Sequence, residues 1–460
     1  MYNLSRTVTL RQGVMINLGA IIGAGIFVII GIAIGHAGPS ILFSIILSAI
    51  IAMLTGLSFA EIARHVAKEG GVYEYAKDTI RPFAGFIGGW LWTFGNIIAI
   101  SAVSLSMGSY MDVLLSIHFP DVYFAIAAII AFAAINIAGI KNSAKTITGF
   151  VIVNVAVLLI FSVVGITSFH GGNFSIMFPN GLNGTIAGAA IIFFAFTGFS
   201  RITTISDEVK DPEKTIPRVI ILSIVISTII YILVAAVALG LVPYTVLAHS
   251  SSPISTAIKT LHNSFLSFII AIGGVTATAG VILTGLLGTS RVFFAMGRDN
   301  ELPKRLSYID RFSTPINAII VSSVLSIAFL LFVGFGTIVD ASNAAVLTAY
   351  LIINIAAINF YFHLKKGKQY EKRYLPAVST FGVLSIIVIL AYLDRASLEF
   401  VAIIALFGIG YYAVKNVKLG NGIDWKRHMD VPRHSMVRLF GRIRDASMNR
   451  NRQGNAQKSP

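Results

Sequence analysis

Residues 21–27 read Ile-Ile-Gly-Ala-Gly-Ile-Phe in the middle of a long apolar run, and residues 193–199 read Phe-Phe-Ala-Phe-Thr-Gly-Phe inside another. These are the first and the sixth apolar segments of the chain. Glycine weakens a helix, and backbone opened inside a bilayer must find new partners. Two weak points at matching places in two halves of a membrane protein are the best sequence pointer to a transporter built on inverted repeats. Opened backbone offers bare N–H and C=O groups at the bilayer midplane, which suit the carboxylate and the amino group of a small zwitterion. The glycines also admit a packing reading. Gly19 and Gly23 form a GxxxG pair, as do Gly31 and Gly35, and small residues at that spacing let helices approach closely. Spacing alone weighs the two readings equally. A dinucleotide fingerprint is excluded, because Val28 occupies the third glycine position and no strand precedes the run.

Composition places these segments in a membrane. The chain has 460 residues, of which 56% are hydrophobic and 12% charged, whereas soluble domains carry about 25% charged residues. The apolar residues lie in runs of about 20, long enough to cross a bilayer. Twelve spans are expected, at about 13–35, 41–63, 83–111, 121–139, 145–168, 184–206, 217–241, 264–293, 315–333, 340–362, 375–393 and 398–415. Arg6 and Arg11 ahead of a long first run argue against a cleaved signal peptide. There is no cysteine, which excludes disulfides, thiol nucleophiles and thiolate metal sites.

The net charge of +15 is a topology signal rather than a mark of nucleic-acid binding. With both termini on one side, all 35 basic residues except Lys259 and Arg395 fall on that side. The positive-inside rule makes it cytoplasmic, so a multi-pass protein of the cytoplasmic (plasma) membrane is expected. Residues 1–419 form one transmembrane domain, with repeats at about 13–168 and 184–362 and extra helices at about 375–415. Residues 420–460 form a polar, basic tail expected to be disordered.

The expected site follows from the two breaks. Ile21, Ile22, Gly23, Ala24 and Gly25 supply the first, and Phe194, Ala195, Phe196 and Thr197 the second. An aromatic run at helical spacing is usually core or lipid-facing. Here it surrounds a glycine break, which suits one phenylalanine to lid a pocket. Thr197 bonds either a substrate or its own helix. The pocket is therefore expected to be apolar and neutral, with no acidic side chain to meet a cationic substrate tail.

Three stretches between the apolar runs resemble the amino acid–polyamine–organocation superfamily of transporters. They are Phe59-Ala60-Glu61 with Gly70-Gly71-Val72-Tyr73, Asp207-Glu208-Val209-Lys210-Asp211-Pro212 with Ile216-Pro217-Arg218, and Ser290-Arg291 with Ala295-Met296-Gly297-Arg298-Asp299. Leu302-Pro303, Thr314-Pro315 and Asn317-Ala318 complete the ordered set. The resemblance implies an all-α fold of five-plus-five inverted repeats, shared with sodium-coupled neurotransmitter-type carriers, with spans 1 and 6 broken and two extra helices. It implies amino acid transport by alternating access. It implies further that the backbone of Gly23, Ala24 and Gly25 takes the substrate carboxylate, that carbonyls near Ile21, Phe194 and Ala195 take the ammonium group, and that Phe194 is an aromatic gate.

Two features depart from the superfamily's pattern, the coupling residues and Arg201. Many members have a lysine in span 5 that stands in for sodium, and the matching residue here is Asn154, which carries no titratable proton. Sodium-dependent members pair hydroxyls on span 8; Thr276, Thr278, Thr284, Thr289 and Ser290 give no clean match. Arg201 stands where many members have a small residue, and snorkelling to the cytoplasm is favoured over guarding the inner vestibule. Glu61 is a candidate proton site, with a cytoplasmic ion pair as its plainer role. His36, His118, His170, His249 and His262 fall in outward positions and are scattered. Sodium-independent transport is expected, with proton coupling open. No cofactor, metal or nucleic acid is expected; the partners are an amino acid and the lipid bilayer. An enzyme lacks any catalytic dyad or phosphate loop, and a channel lacks a filter or charged rings. An exchanger, a polyamine or cationic amino acid carrier, and a non-transporting sensor are the alternatives of the same fold.

Overall fold

The computed structural model describes residues 6–23, 25–66, 68–115, 120–250, 252–332, 335–366 and 374–418. Ala24, His118 and the basic tail from Gly420 lie outside the described residues. Every named element among them is helical, apart from one isolated parallel bridge between Val8 and Val209.

The chain begins with α1 (Leu10–Ile21), whose first turn is closed by a capping box between Thr9 and Gln12. A π turn at Gly25–Ile29 leads into α2 (Ile30–Ala37). Gly38 then takes φ +63°, and a side chain there would run into Pro179, 2.3 Å from its Cβ. Gly38 and Pro39 thus turn the chain into α3 (Ile41–Ala63). The short α4 (Val72–Thr79) precedes α5 (Pro82–Leu115), α6 (Asp121–Ile137) and α7 (Ile140–Gly165). Next come α8 (Gly181–Ile192), a 3-10 segment at Phe193–Ser200 and α9 (Arg201–Thr204). After these follow α10 (Pro212–Leu241), the short α11 (Tyr244–Ala248) and α12 (Pro253–Lys259), and the long α13 (Ser264–Arg298). The last helices are α14 (Ile316–Phe332), α15 (Phe335–Lys366), α16 (Leu375–Ala391) and α17 (Arg395–Lys418).

Among the described residues, eight helical runs are long and apolar enough to cross a membrane, the first being the 54-residue run Leu10–Ala63, and three shorter apolar helices accompany them. Their exposure separates a centre from a periphery. The most apolar windows of Leu10–Ala63 and Pro82–Asp112 are 88% and 83% buried, whereas that of Arg395–Asn416 is 28% buried. The outer helices present Ile152, Val163, Ile229, Phe381 and Phe407, side chains that are stable there only against lipid or another apolar surface. This is a polytopic membrane protein. At the centre, α1 packs among α7, α10, α13 and the 3-10 segment, and α5 lies against both α13 and α15.

Candidate functional site

The two sequence breaks open the helix in different ways. At the first, Ile22 leaves α1 with φ −78° and ψ 81°. Its N–H still reaches Leu18 at 2.7 Å, but the next N–H, that of Gly23, bonds only the nearby Ile21 carbonyl at 2.9 Å. At the second, α8 tightens into eight residues of 3-10 helix. Such runs rarely exceed three or four residues and mark strain or a hinge. The breaks touch: a Cβ on Gly25 would lie 2.2 Å from that of Ala195. Glycine at 25 is therefore required by packing at the same place where the chain opens.

Between the breaks lies a cavity of about 310 Å³ of atom-free space, its open mouth included, bordered by Ile21, Gly25, Phe194, Ala195, Thr197 and Arg201 together with Ala20, Asn96, Ala99 and Val281. Ile22, Gly23 and Phe196 do not line it. The 3-10 geometry explains the selection, since residues three apart share a face. Phe194 and Thr197 face the cavity, while Phe196 packs edge-on to Tyr231 with ring centroids 5.3 Å apart, and Phe199 packs on Phe59 and Tyr350.

The opened backbone is already served by side chains from other helices. Tyr231 of α10 points its hydroxyl at the carbonyls of Ile21 (2.5 Å) and Ala195 (3.2 Å). It has one proton to give, so each carbonyl keeps a lone pair for another donor. Thr197 donates to the Phe194 carbonyl at 2.8 Å. Asn17 of α1 spans the second break, donating to the Phe199 carbonyl at 2.7 Å and accepting from the Ile202 N–H at 3.0 Å. Tyr350 of α15 donates to the Thr197 carbonyl and meets Ser200 at 2.7 Å. Sequence reasoning missed Asn17, Tyr231 and Tyr350. Polar side chains inside apolar runs are the signal that could have found them.

Arg201 departs from expectation. A snorkelling arginine keeps its head in water, but Arg201 is 4% exposed and borders the cavity. Its Nη2 donates to Asn96 Oδ1 at 2.6 Å and its guanidinium carbon lies 5.0 Å from the centroid of the Trp92 ring. Among the described residues, its Nε and Nη1 find no hydrogen-bond partner. Arg201 opens α9, which packs against α1 and α13, and its side chain is enclosed rather than in water.

The coupling candidates lie away from the cavity. Asn154 is buried and accepts from Thr276 at 2.5 Å, with its Nδ2 unpartnered among the described residues. Thr278, Thr284, Thr289 and Ser290 turn their hydroxyls back onto carbonyls of α13 itself. Glu61, near the end of α3, lies 3.5 Å from Arg64.

The three motif stretches meet beneath the site. Arg298 contacts Glu69 at 3.0 Å and Glu74 at 2.5 Å, and Lys77 contacts Glu74 at 2.8 Å and also pairs with Asp299. Tyr73 donates to Asp299 at 2.9 Å. Nearby, Arg291 and Glu208 pair at 2.9 Å in full burial. Burial pushes the Glu69 and Glu208 carboxyls up, against the pull of Arg298 and Arg291 respectively. Burial also raises Glu74, to about 6. For Asp299 burial is outweighed by Lys77, which holds its carboxyl below the usual range.

The profile of the amino acid permease family matches residues 12–415. The chain belongs to this family. The family is a branch of the amino acid–polyamine–organocation superfamily, and the motif stretches that resemble it hold the ion-pair cluster described above. Among curated relatives, the methylthioribose transporter of Bacillus subtilis is 31% identical over 375 residues, covering 77% of this chain and 81% of the relative. The branched-chain amino acid permease of the same organism is 31% identical, covering 75% and 78%. An uncharacterised transporter of Mycobacterium tuberculosis is 30% identical, covering 90% and 92%.

Proposed function

We propose that this permease is a secondary transporter that carries neutral amino acids across the cytoplasmic membrane by alternating access, with the substrate held between the breaks of spans 1 and 6. The observation that carries the reading is that two interrupted helices, far apart in sequence, border one cavity at the buried centre. The Ile21 and Ala195 carbonyls face a hydroxyl there, an arrangement that an ammonium group can share. The cavity has no carboxylate among its lining residues, which disfavours arginine, lysine and polyamines as substrates.

Twelve spans follow if the run Leu10–Ala63 counts twice, folding back at Gly38–Ser40, and the three shorter apolar helices each cross. The repeats then comprise about 13–168 and 184–362, the extra helices about 375–415, and both termini are cytoplasmic. Sodium independence is supported by the α13 hydroxyls, which are engaged by their own helix, and by Asn154 at the span 5 position.

Uptake into proteoliposomes tests this reading. The panel holds leucine, alanine, glutamate, arginine and methylthioribose, with sodium and proton gradients imposed separately. Neutral amino acids are expected to enter best and to enter equally with choline replacing sodium. Gly25→Leu is expected to abolish uptake, since its side chain would occupy the space of Ala195. Arginine entering better than leucine, or normal uptake by a correctly inserted Gly25→Leu protein, would overturn the reading.

A further inference from the structure

We propose that Arg201 is the carboxylate-binding side chain of this transport site. The inference rests on the reading above that the cavity takes the substrate. Arg201 lines that cavity, is almost entirely buried, and has a guanidinium whose Nε and Nη1 donors are unpartnered among the described residues. A buried cation without a counter-ion is costly unless something of opposite charge completes it. Its neighbours supply none: Asn96 gives a neutral oxygen and Trp92 a ring face. No other cavity-lining residue carries a charge. Nη2 gives one of its two N–H groups to Asn96, so one edge of the guanidinium, Nε with Nη2 or Nη1 with Nη2, keeps two parallel N–H groups that match the two oxygens of a carboxylate.

At the first break the Gly23 N–H is already given to the Ile21 carbonyl at 2.9 Å, while Gly25 borders the cavity. A Cβ at Gly23 would lie 2.1 Å from a methyl of Val281, and one at Gly25 would meet Ala195, so both glycines are pressed against other helices. Ile21 and Ala195 border the same cavity as Arg201, and their carbonyls share the single proton of the Tyr231 hydroxyl. A ligand with its ammonium group at those carbonyls and a carboxylate on Arg201 would bridge spans 1 and 6. The carboxylate is either the α-carboxylate of a neutral amino acid or the side-chain carboxylate of an acidic one.

Binding to the purified full-length protein separates these. Dissociation constants are measured for leucine, glutamate and leucinamide, which keeps the amine and lacks the carboxylate. Arg201→Gln should weaken the better-bound acid about 30-fold or more, the effect of removing one partner of a buried charge pair. Arg201→Lys should recover only part, lacking the planar fork. Asn96→Asp leaves the arginine in place and supplies it with an internal carboxylate. It should weaken the acid about tenfold without weakening leucinamide. Leucine binding better than glutamate in the wild type assigns the α-carboxylate to Arg201, and the reverse assigns the side-chain carboxylate. Wild-type affinity in Arg201→Gln, or an Asn96→Asp protein that loses both ligands equally or neither, overturns the proposal. Normal uptake with Arg201-independent binding sinks the arginine's role alone. Arg201-dependent binding without uptake sinks transport alone.

Discussion

Two arginines are buried among the described residues, and they are buried for different ends. Arg291 is fully enclosed and meets Glu208 at 2.9 Å, joining α13 to the turn that follows α9. Arg201, 90 positions earlier in the chain, is enclosed to nearly the same degree and meets the neutral amide oxygen of Asn96 and the face of Trp92. An ion pair closed within the protein holds elements together. A cation left without its counter-ion, on the wall of a cavity, is a site awaiting one. The paired arginine lies beside the ion-pair cluster in the family's motif stretches, and the unpaired one lines the cavity between the two breaks.

The comparison is broken most severely by removing the paired partner. Glu208→Ala should lower stability by about 3–5 kcal/mol, because it leaves Arg291 buried without compensation. Thermal unfolding of the detergent-purified protein measures this. A loss under about 1 kcal/mol would make the pair incidental. Arg201→Gln should by contrast change stability by no more than about 1 kcal/mol, since no stranded charge remains.

The paired cluster also has a pH signature. Glu74 is raised above its ordinary value by burial, to about 6. Its contribution to stability is therefore fully present below the unfolded value of about 4.5 and is lost as pH rises through about 6. Relative to Glu74→Gln, the wild type should gain up to about 2 kcal/mol on acidification across that window. Unfolding of both proteins at pH 7.5, 6 and 5 checks the sign. A wild type that gains instead on alkalinisation would reverse the assignment.

Converting the unpaired arginine into a paired one sharpens the contrast. Asn96→Asp should raise stability by about 1 kcal/mol, the opposite direction to Glu208→Ala, while ligand binding weakens. Asn96→Ala loses the same amide bond to the Trp92 carbonyl, so an Asn96→Asp protein no more stable than Asn96→Ala would mean that Arg201 is already satisfied where it stands. The smallest effect is expected at Gly288, where an added Cβ would lie 2.6 Å from Arg201 Nη1. Gly288→Ala should shift the guanidinium and weaken ligand binding a few-fold, about 1 kcal/mol or less, with an unchanged melting temperature. Unaltered binding would show that Nη1 is not in contact with the ligand.

The membrane class, the two breaks and the family were legible in the residues themselves. Each depends on local physics: a run of about 20 apolar residues spans a bilayer wherever it lies, and glycine loosens a helix wherever it occurs. The division of the second break was not legible. Phe194 and Phe196 read alike as aromatic neighbours, yet 3-10 winding sends one to the cavity and the other to Tyr231. The site's supporting polar residues were equally hidden. Asn17 is a single amide in an apolar run, and only the fold carries it 182 positions along the chain to the Phe199 carbonyl.

Sequence alone determined that the chain is a membrane protein of apolar helices, where its basic residues fall between them, where two helices open, and which motifs to group. Tertiary structure alone decided that Glu69, Glu74, Arg298 and Asp299 close into one cluster, that Tyr231 serves both opened carbonyls, and that Arg201 turns inward. The physical reason is that a charge is stabilised or left wanting by what surrounds it. Those surroundings come from helices distant in sequence: Asn96 stands 105 positions from Arg201, and Glu208 stands 83 from Arg291. Arginine has the same charge and reach at both positions, so its role is set by the neighbours that folding brings to it.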